Sequence, residues 1–227
     1  MDPTASTRIK ICCLQSVAEM ELAVRYGAAA VGMVSAMPSG PGPIPDDLIA
    51  DIARRVPAGV SSFLLTSERS AAVIADQVRR LFPTTVQIVD RPEAGCRAEL
   101  RRLLPSTRIV QVVHVTGPDA LAEAIAAAPE ADALLLDSGN PALAVKELGG
   151  TGRTHDWATS RRIRDAVVVP LWLAGGLKPE NVGAAIEAVR PFGVDVCSGV
   201  RTHGMLDEEK LGRFVEAVRR AGNQSRE

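Results

Sequence analysis

Three sets of residues in this chain have the types and spacing for proton-transfer chemistry on a phosphorylated compound. The first is a pair of apolar runs that end in small residues, Leu173-Ala-Gly-Gly-Leu177 and Gly193-Val-Asp-Val-Cys-Ser-Gly-Val200. Helix-like stretches over 179–189 and 207–221 follow them. Strand–glycine–helix units of this kind leave backbone N–H groups uncovered, and a helix N-terminus adds partial positive charge. Gly175, Gly176, Ser198 and Gly199 are therefore expected to cradle a phosphate, with no room for a side chain at Gly176 or Gly199. The second set follows from alternation along a strand, where residues two apart share a face. Lys10 and Cys12 point opposite to Ile9 and Ile11, and Asp195 and Cys197 opposite to Val194 and Val196. With the apolar pairs turned toward covering helices, Lys10 and Asp195 meet inside, as a structural ion pair or as one that also holds a substrate hydroxyl. The third is Asp137, directly after three leucines. An Asp there can begin a loop or act as an acid at a strand end, and Cys12 can be inert core or a reactive thiolate. A thiolate and a carboxylic acid above a phosphate site suit acid–base chemistry on a sugar phosphate.

Positioning these groups requires a scaffold that brings several strand ends to one face. Runs rich in Val, Ile and Leu near 8–12, 29–34, 59–65, 85–89, 108–115, 132–137, 168–174 and 193–197 read as strands. Runs near 17–26, 46–56, 68–80, 93–104, 118–128, 156–165, 179–189 and 207–221 read as helices. Pro45, Pro92, Pro118 and Pro179 mark helix starts. Strict alternation implies a parallel sheet, and eight units of roughly 28 residues fit a (β/α)₈ TIM barrel. In such barrels a phosphate commonly sits on the loops after strands 7 and 8. A doubly wound open sheet is the runner-up, disfavoured because no dinucleotide fingerprint follows the first strand. One barrel domain over 8–221 is expected, with a disordered N-terminal tail over 1–7 and a C-terminal tail over 222–227. Two connections, 35–45 and 138–155, are longer than usual and follow strand C-termini, so they are expected to wall or cover the site.

Composition narrows the class. Of 227 residues, 46% are hydrophobic and 23% charged, which is ordinary for a soluble globular protein. A net charge of −1 gives no electrostatic case for a nucleic-acid partner. The N-terminal Met-Asp-Pro-Thr-Ala-Ser-Thr lacks an apolar signal segment, and no apolar run approaches the ~20 residues of a bilayer span. Cys12, Cys13, Cys96 and Cys197 lack zinc-type spacing and read as reduced thiols. A cytoplasmic protein without a membrane partner is expected, monomer and homodimer both being open.

On these residues the chain resembles the phosphoribosylanthranilate isomerase family. The matching pieces run in order: Lys10-Ile-Cys12, Gly27-Ala-Ala-Ala-Val-Gly32, Leu135-Leu-Asp137, Gly149-Gly-Thr-Gly-Arg-Thr-His-Asp-Trp157, Leu173-Ala-Gly-Gly-Leu-Lys-Pro-Glu-Asn-Val182 and Val194-Asp-Val-Cys-Ser-Gly-Val200. The resemblance implies a (β/α)₈ barrel without a cofactor and an Amadori rearrangement of an N-ribosyl aminoaldose phosphate, most simply N-(5'-phosphoribosyl)anthranilate in tryptophan biosynthesis. It makes Asp137 the general acid that opens the ribose to an imine and Cys12 the base that takes the proton from the adjacent carbon. It places the phosphate on the backbone around Gly175, Gly176, Ser198 and Gly199.

Five departures from the family pattern stand out. Cys13 replaces the Gly that usually follows the catalytic Cys, Cys197 replaces a Ser, and Arg201 replaces a Glu. Gln87-Ile-Val-Asp90 stands where the family has Gln-Leu-His-Gly, and the loop Met37-Pro-Ser-Gly-Pro-Gly-Pro43 lacks the usual Arg. An aromatic carboxylate calls for a cation, and Arg153 or Arg201 on the catalytic face is the expected substitute. Two other functions compete: a related barrel enzyme on another phosphorylated sugar or amino-sugar, and a phosphate-ligand binding protein without turnover. Retention of both Cys12 and Asp137 argues against the binder, which needs neither.

Overall fold

A computed structural model of the chain describes residues 6–38, 40–139 and 154–224. The expected tails at 1–7 and 222–227 lie partly outside those residues. The strands are β1 (Arg8–Ile11), β2 (Ala30–Val34), β3 (Ser61–Thr66), β4 (Thr85–Ile88), β5 (Arg108–His114), β6 (Ala133–Asp137), β7 (Leu171–Leu173) and β8 (Gly193–Val196). The helices are α1 (Val17–Arg25), α2 (Asp46–Arg55), α3 (Ala71–Leu81), α4 (Cys96–Leu103), α5 (Ala120–Ala127), α6 (Trp157–Ala166), α7 (Val182–Val189) and α8 (Glu208–Gln224). All eight strands pair in parallel and in chain order, and β1 pairs with β8 to close the ring, with Lys10 opposite Asp195. That seam makes the sheet a barrel and excludes the open doubly wound alternative.

Where elements are shorter than the hydrophobic pattern predicts, local chemistry explains it. β7 begins at Leu171 rather than near 168, because Pro170 has no N–H for a ladder and Val168 is 98% exposed. α4 starts at Cys96 because Gly95 takes a left-handed φ of 76° just before it. α1 is fixed at its start by the Ser16 hydroxyl, which accepts from Glu19 N at 3.1 Å, while the Glu19 carboxylate reaches back to Gln15 N at 2.9 Å.

Two apolar layers follow from the two faces of the strands. Ile9, Ile11, Val31, Met33, Val194 and Val196 pack outward against the helices. Cys12, Ala30, Val34, Leu65, Val112 and Leu135 pack in the barrel interior. The lower interior is filled by aromatic rings in edge-to-face contact, Phe63 with Trp172 at 6.0 Å and Trp172 with Phe192 at 5.4 Å between centroids. Gly193 admits the indole: a Cβ there would lie 2.4 Å from Trp172 Cζ3. Among the described residues no helix is long and apolar enough to cross a membrane.

Candidate active site

The C-terminal ends of the strands open onto one cavity of about 640 Å³, counting space open to solvent. Cys12, Asp137, Gly175, Gly176, Asp195 and Ser198 all line it.

Lys10 and Asp195 form its floor at the β1–β8 seam. The ammonium is fully buried and Nζ lies 2.7 Å from Asp195 Oδ2. Burial disfavours the Lys10 charge, yet the Asp195 carboxylate together with the neighbouring Cys12 and Cys13 more than offsets this, and the pKa ends well above its ordinary value. Burial likewise raises the Asp195 pKa, against the pull of Lys10. Asp195 Oδ1 is buried and has no partner among the described residues, so the pair leaves one acceptor for a ligand hydroxyl.

Cys12 follows β1 directly and is 4% exposed. Gly32 on β2 makes room for it: a Cβ there would lie 2.9 Å from Cys12 Sγ and 3.2 Å from Lys10 Nζ. Thiol and ammonium therefore flank one small space beside Gly32. Cys13 takes a left-handed φ of 60°, which accounts for the Gly the family usually places there. Its Cβ fits because Gly42 has none; a Cβ on Gly42 would stand 2.6 Å away.

Asp137 closes β6 beside His114 of β5, and its Oδ1 accepts from Ser138 N at 2.7 Å. Burial raises its pKa, with the Ser138 N–H and the nearby His114 opposing. A carboxyl that holds its proton longer than usual is suited to act as an acid.

The glycine turn after β7 has φ of 83° at Gly175 and 61° at Gly176. Neither N–H donates to another described backbone group. A Cβ on Gly175 would lie 2.9 Å from His155 Nδ1 and 3.0 Å from Ser138 N. Ser198 opens a short 3₁₀ turn after β8 and lines the cavity. Gly199 is needed for a different reason from the one expected. A Cβ there would lie 2.0 Å from the Leu177 carbonyl oxygen, so it permits contact between the two turns rather than space for phosphate.

Arg201 does not take the expected place as a cation in the cavity. Its guanidinium forks onto Glu19, with Nη1 and Nη2 each 3.0 Å from a carboxylate oxygen. It also donates to the carbonyls of Cys12 at 3.3 Å, Cys13 at 2.6 Å and Gly204 at 2.8 Å. The charge is spent holding the β1–α1 turn, and Arg201 is not among the cavity-lining residues. Arg153 lies outside the described residues.

Two residues of the site were not singled out from sequence. Gln87 of β4 lines the cavity with a buried Oε1 that has no partner among the described residues; inward alternation along β4 was the available signal. His155 holds Ser160 Oγ at 2.8 Å through Nε2, and burial lowers its pKa to about 4, so it is neutral.

A family model described as N-(5'phosphoribosyl)anthranilate (PRA) isomerase matches residues 9–217. The N-(5'-phosphoribosyl)anthranilate isomerase of Haloarcula marismortui is 38% identical over 218 residues, covering 95% of this chain and 97% of its own. That of Methanosarcina acetivorans is 34% identical over 226 residues, covering 94% and 93%. The solved Thermotoga maritima phosphoribosyl anthranilate isomerase superposes with a TM-score of 0.78 at 29% identity, covering 93% of this chain and 98% of that one. A second solved structure, in complex with reduced 1-(o-carboxyphenylamino)-1-deoxyribulose 5-phosphate, gives 0.76 at 27% identity over 93% and 98%.

Proposed function

The chain belongs to the N-(5'-phosphoribosyl)anthranilate isomerase family of tryptophan biosynthesis, and we propose that the cavity at its barrel mouth is where the isomerisation runs. The substrate phosphate rests on the amides of Gly175, Gly176 and the Ser198 turn, which fixes the ribose across the mouth. Asp137 gives its proton to the ring oxygen as the C1–O bond breaks, and the nitrogen lone pair forms the imine. Cys12, as thiolate, removes the proton from C2, and those electrons move through the imine to give the enolamine. Tautomerisation then yields the aminoketose. Asp195 Oδ1 accepts from a ribose hydroxyl, and Lys10 keeps that carboxylate ionised.

The observation that carries this reading is the single cavity shared by Cys12, a burial-raised Asp137 and the glycine turn. Val34, Met37 and Leu65 give the end away from the phosphate an apolar wall suited to an aromatic ring. With Arg201 committed to Glu19, Arg153 is the cation proposed for the ring carboxylate. The enzyme is read as cytoplasmic, with a small phosphorylated substrate and no nucleic-acid or membrane partner.

The test is complementation of a tryptophan auxotroph that lacks this isomerase, paired with a fluorescence assay for loss of the anthranilate adduct. Growth with measurable turnover is expected. No growth, together with turnover of another phosphorylated amino-sugar, would move the chain to the related-enzyme alternative.

A further inference from the structure

Cys12 ends β1 at a bend in the chain, and the bend is held by an arginine 189 residues away. We propose that Arg201 is a positioning residue for the isomerisation, fixing the Cys12 sulfur against the substrate through the backbone beside it. The proposal rests on Cys12 acting as the base. Cys12 N donates to Val196 O at 2.9 Å and Leu14 N to Gly32 O at 3.0 Å, so the chain is pinned to β8 before the bend and to β2 after it. The carbonyls of Cys12 and Cys13, at the bend, receive no backbone N–H among the described residues. Both residues are buried, and a buried acceptor left without a donor is costly. One guanidinium nitrogen supplies both, with Nη2 lying 3.3 Å from Cys12 O and 2.6 Å from Cys13 O. The bend is also one that cysteine adopts reluctantly: Cys13 has a φ of 60°, where glycine is free and an L side chain is strained. Held by its carbonyl, Cys13 keeps that φ. Released, it relaxes toward negative φ, which rotates the Cys12–Cys13 peptide and moves the neighbouring sulfur.

Glu19 makes the clamp rigid. Its carboxylate accepts from Arg201 Nη1 and Nη2 at 3.0 Å each, from Gln15 N at 2.9 Å and from Leu206 N at 2.8 Å. Both side chains are only 7% exposed. The guanidinium plane is thus set from α1 on one side and from the hairpin pairing Arg201–Thr202 with Met205–Leu206 on the other. The Arg201 backbone is tied as well, its carbonyl accepting from Lys210 Nζ of α8 at 2.9 Å. A lysine here keeps the charge beside Glu19 but lacks the planar fork that meets a carboxylate and two carbonyls at once. Arg201 directly follows the Ser198–Val200 turn, so the segment proposed to hold the phosphate also places the base. Cys13 and Arg201 are two of the departures from the family pattern, and they touch. The arginine gives cysteine the conformational hold that a glycine does without.

Single-turnover kinetics with enzyme in saturating excess, followed by fluorescence of the anthranilate adduct, separate positioning from folding. Loss of folded enzyme leaves that rate constant unchanged, whereas a misplaced base lowers it. In Arg201→Lys the rate constant should fall by about tenfold, the scale for slight misplacement of a reacting group. The half-saturation point and the inhibition constant for inorganic phosphate should stay within about twofold of wild type. Adding Cys13→Gly to Arg201→Lys should recover part of the lost rate, because glycine keeps the left-handed bend unaided. The proposal falls if Arg201→Lys reacts at the wild-type rate, if phosphate binding weakens in step with the rate, or if Cys13→Gly restores nothing. Failure of the isomerase reading looks different. No wild-type turnover, or full turnover in Cys12→Ser, removes the base and the positioning proposal with it. Unchanged kinetics in Arg201→Lys beside an inactive Cys12→Ser would sink the positioning alone.

Discussion

Lys10 Nζ and Asp195 Oδ2 lie 2.7 Å apart across the seam where the first and last strands of the barrel join. One ion pair thus closes the ring and floors the site. Removing one partner of a buried pair leaves the other charge unpaired, at a cost of about 3–5 kcal/mol. Lys10→Met should lower unfolding stability by that order in urea, and the Lys10→Met/Asp195→Asn double variant should regain part of it. A single variant as stable as wild type would show that the seam does not depend on the pair.

Cys12→Ser should cut kcat by about a hundredfold or more, the scale for loss of a proton-transfer group. The thermal midpoint should hold, because the hydroxyl occupies the same space beside Gly32. Near-normal turnover would remove Cys12 from the mechanism and point to Cys13 or Cys197.

In the proposed mechanism Asp137 acts in its protonated form, so the sign of its pH dependence is fixed. Burial raises its pKa, and the active range extends upward from the ordinary carboxyl value of about 3.9 before turnover declines. Asp137→Asn should abolish ring opening while retaining affinity for a phosphorylated ketose analogue of the product. Joint loss of binding and turnover in a folded protein would make Asp137 a ligand-positioning group instead.

Gly175→Ala forces a Cβ onto a φ of 83° and against His155 Nδ1 and Ser138 N. Strain of ~1–2 kcal/mol is the usual cost of such a conformation. The KM for phosphorylated substrate and the inhibition constant for inorganic phosphate should rise together by about tenfold. An unchanged phosphate constant would place the anion elsewhere.

His155 links stability to pH. Its folded pKa is about 4 against an ordinary imidazole value of 6.5, so the unfolded chain binds a proton here that the folded chain refuses. The stabilisation is complete above about pH 6.5 and is lost as pH falls toward 4. Between pH 7 and pH 5 it amounts to about 2 kcal/mol. Urea midpoints at those two pH values should differ more for wild type than for His155→Gln, and equal differences would contradict the assignment.

Period-two alternation was enough to read Lys10, Cys12 and Asp195 as inward-facing, because apolar neighbours on both strands had only the helices to pack against. Asp137 was legible for a similar reason, as an acid ending a run of leucines. The Arg201–Glu19 fork was not, since its partners lie 182 residues apart and no local pattern joins a helix N-terminus to the turn after the last strand. Gly199 looked like a phosphate glycine because it follows a strand in a run of small residues; only the Leu177 carbonyl beneath it reveals a backbone contact. The left-handed bend at Cys13 left one trace, a cysteine where relatives usually keep glycine.

The indole of Trp172, wedged between Phe63 and Phe192 with Gly193 giving it space, has a kinetic consequence. It stoppers the lower end of the barrel, so the reaction chamber is a well rather than a tunnel. Whatever enters must leave by the same opening, and aminoketose lingering in the well excludes the next aldose. Substrate and product therefore take turns at a single doorway, and the catalytic cycle advances no faster than that doorway is vacated.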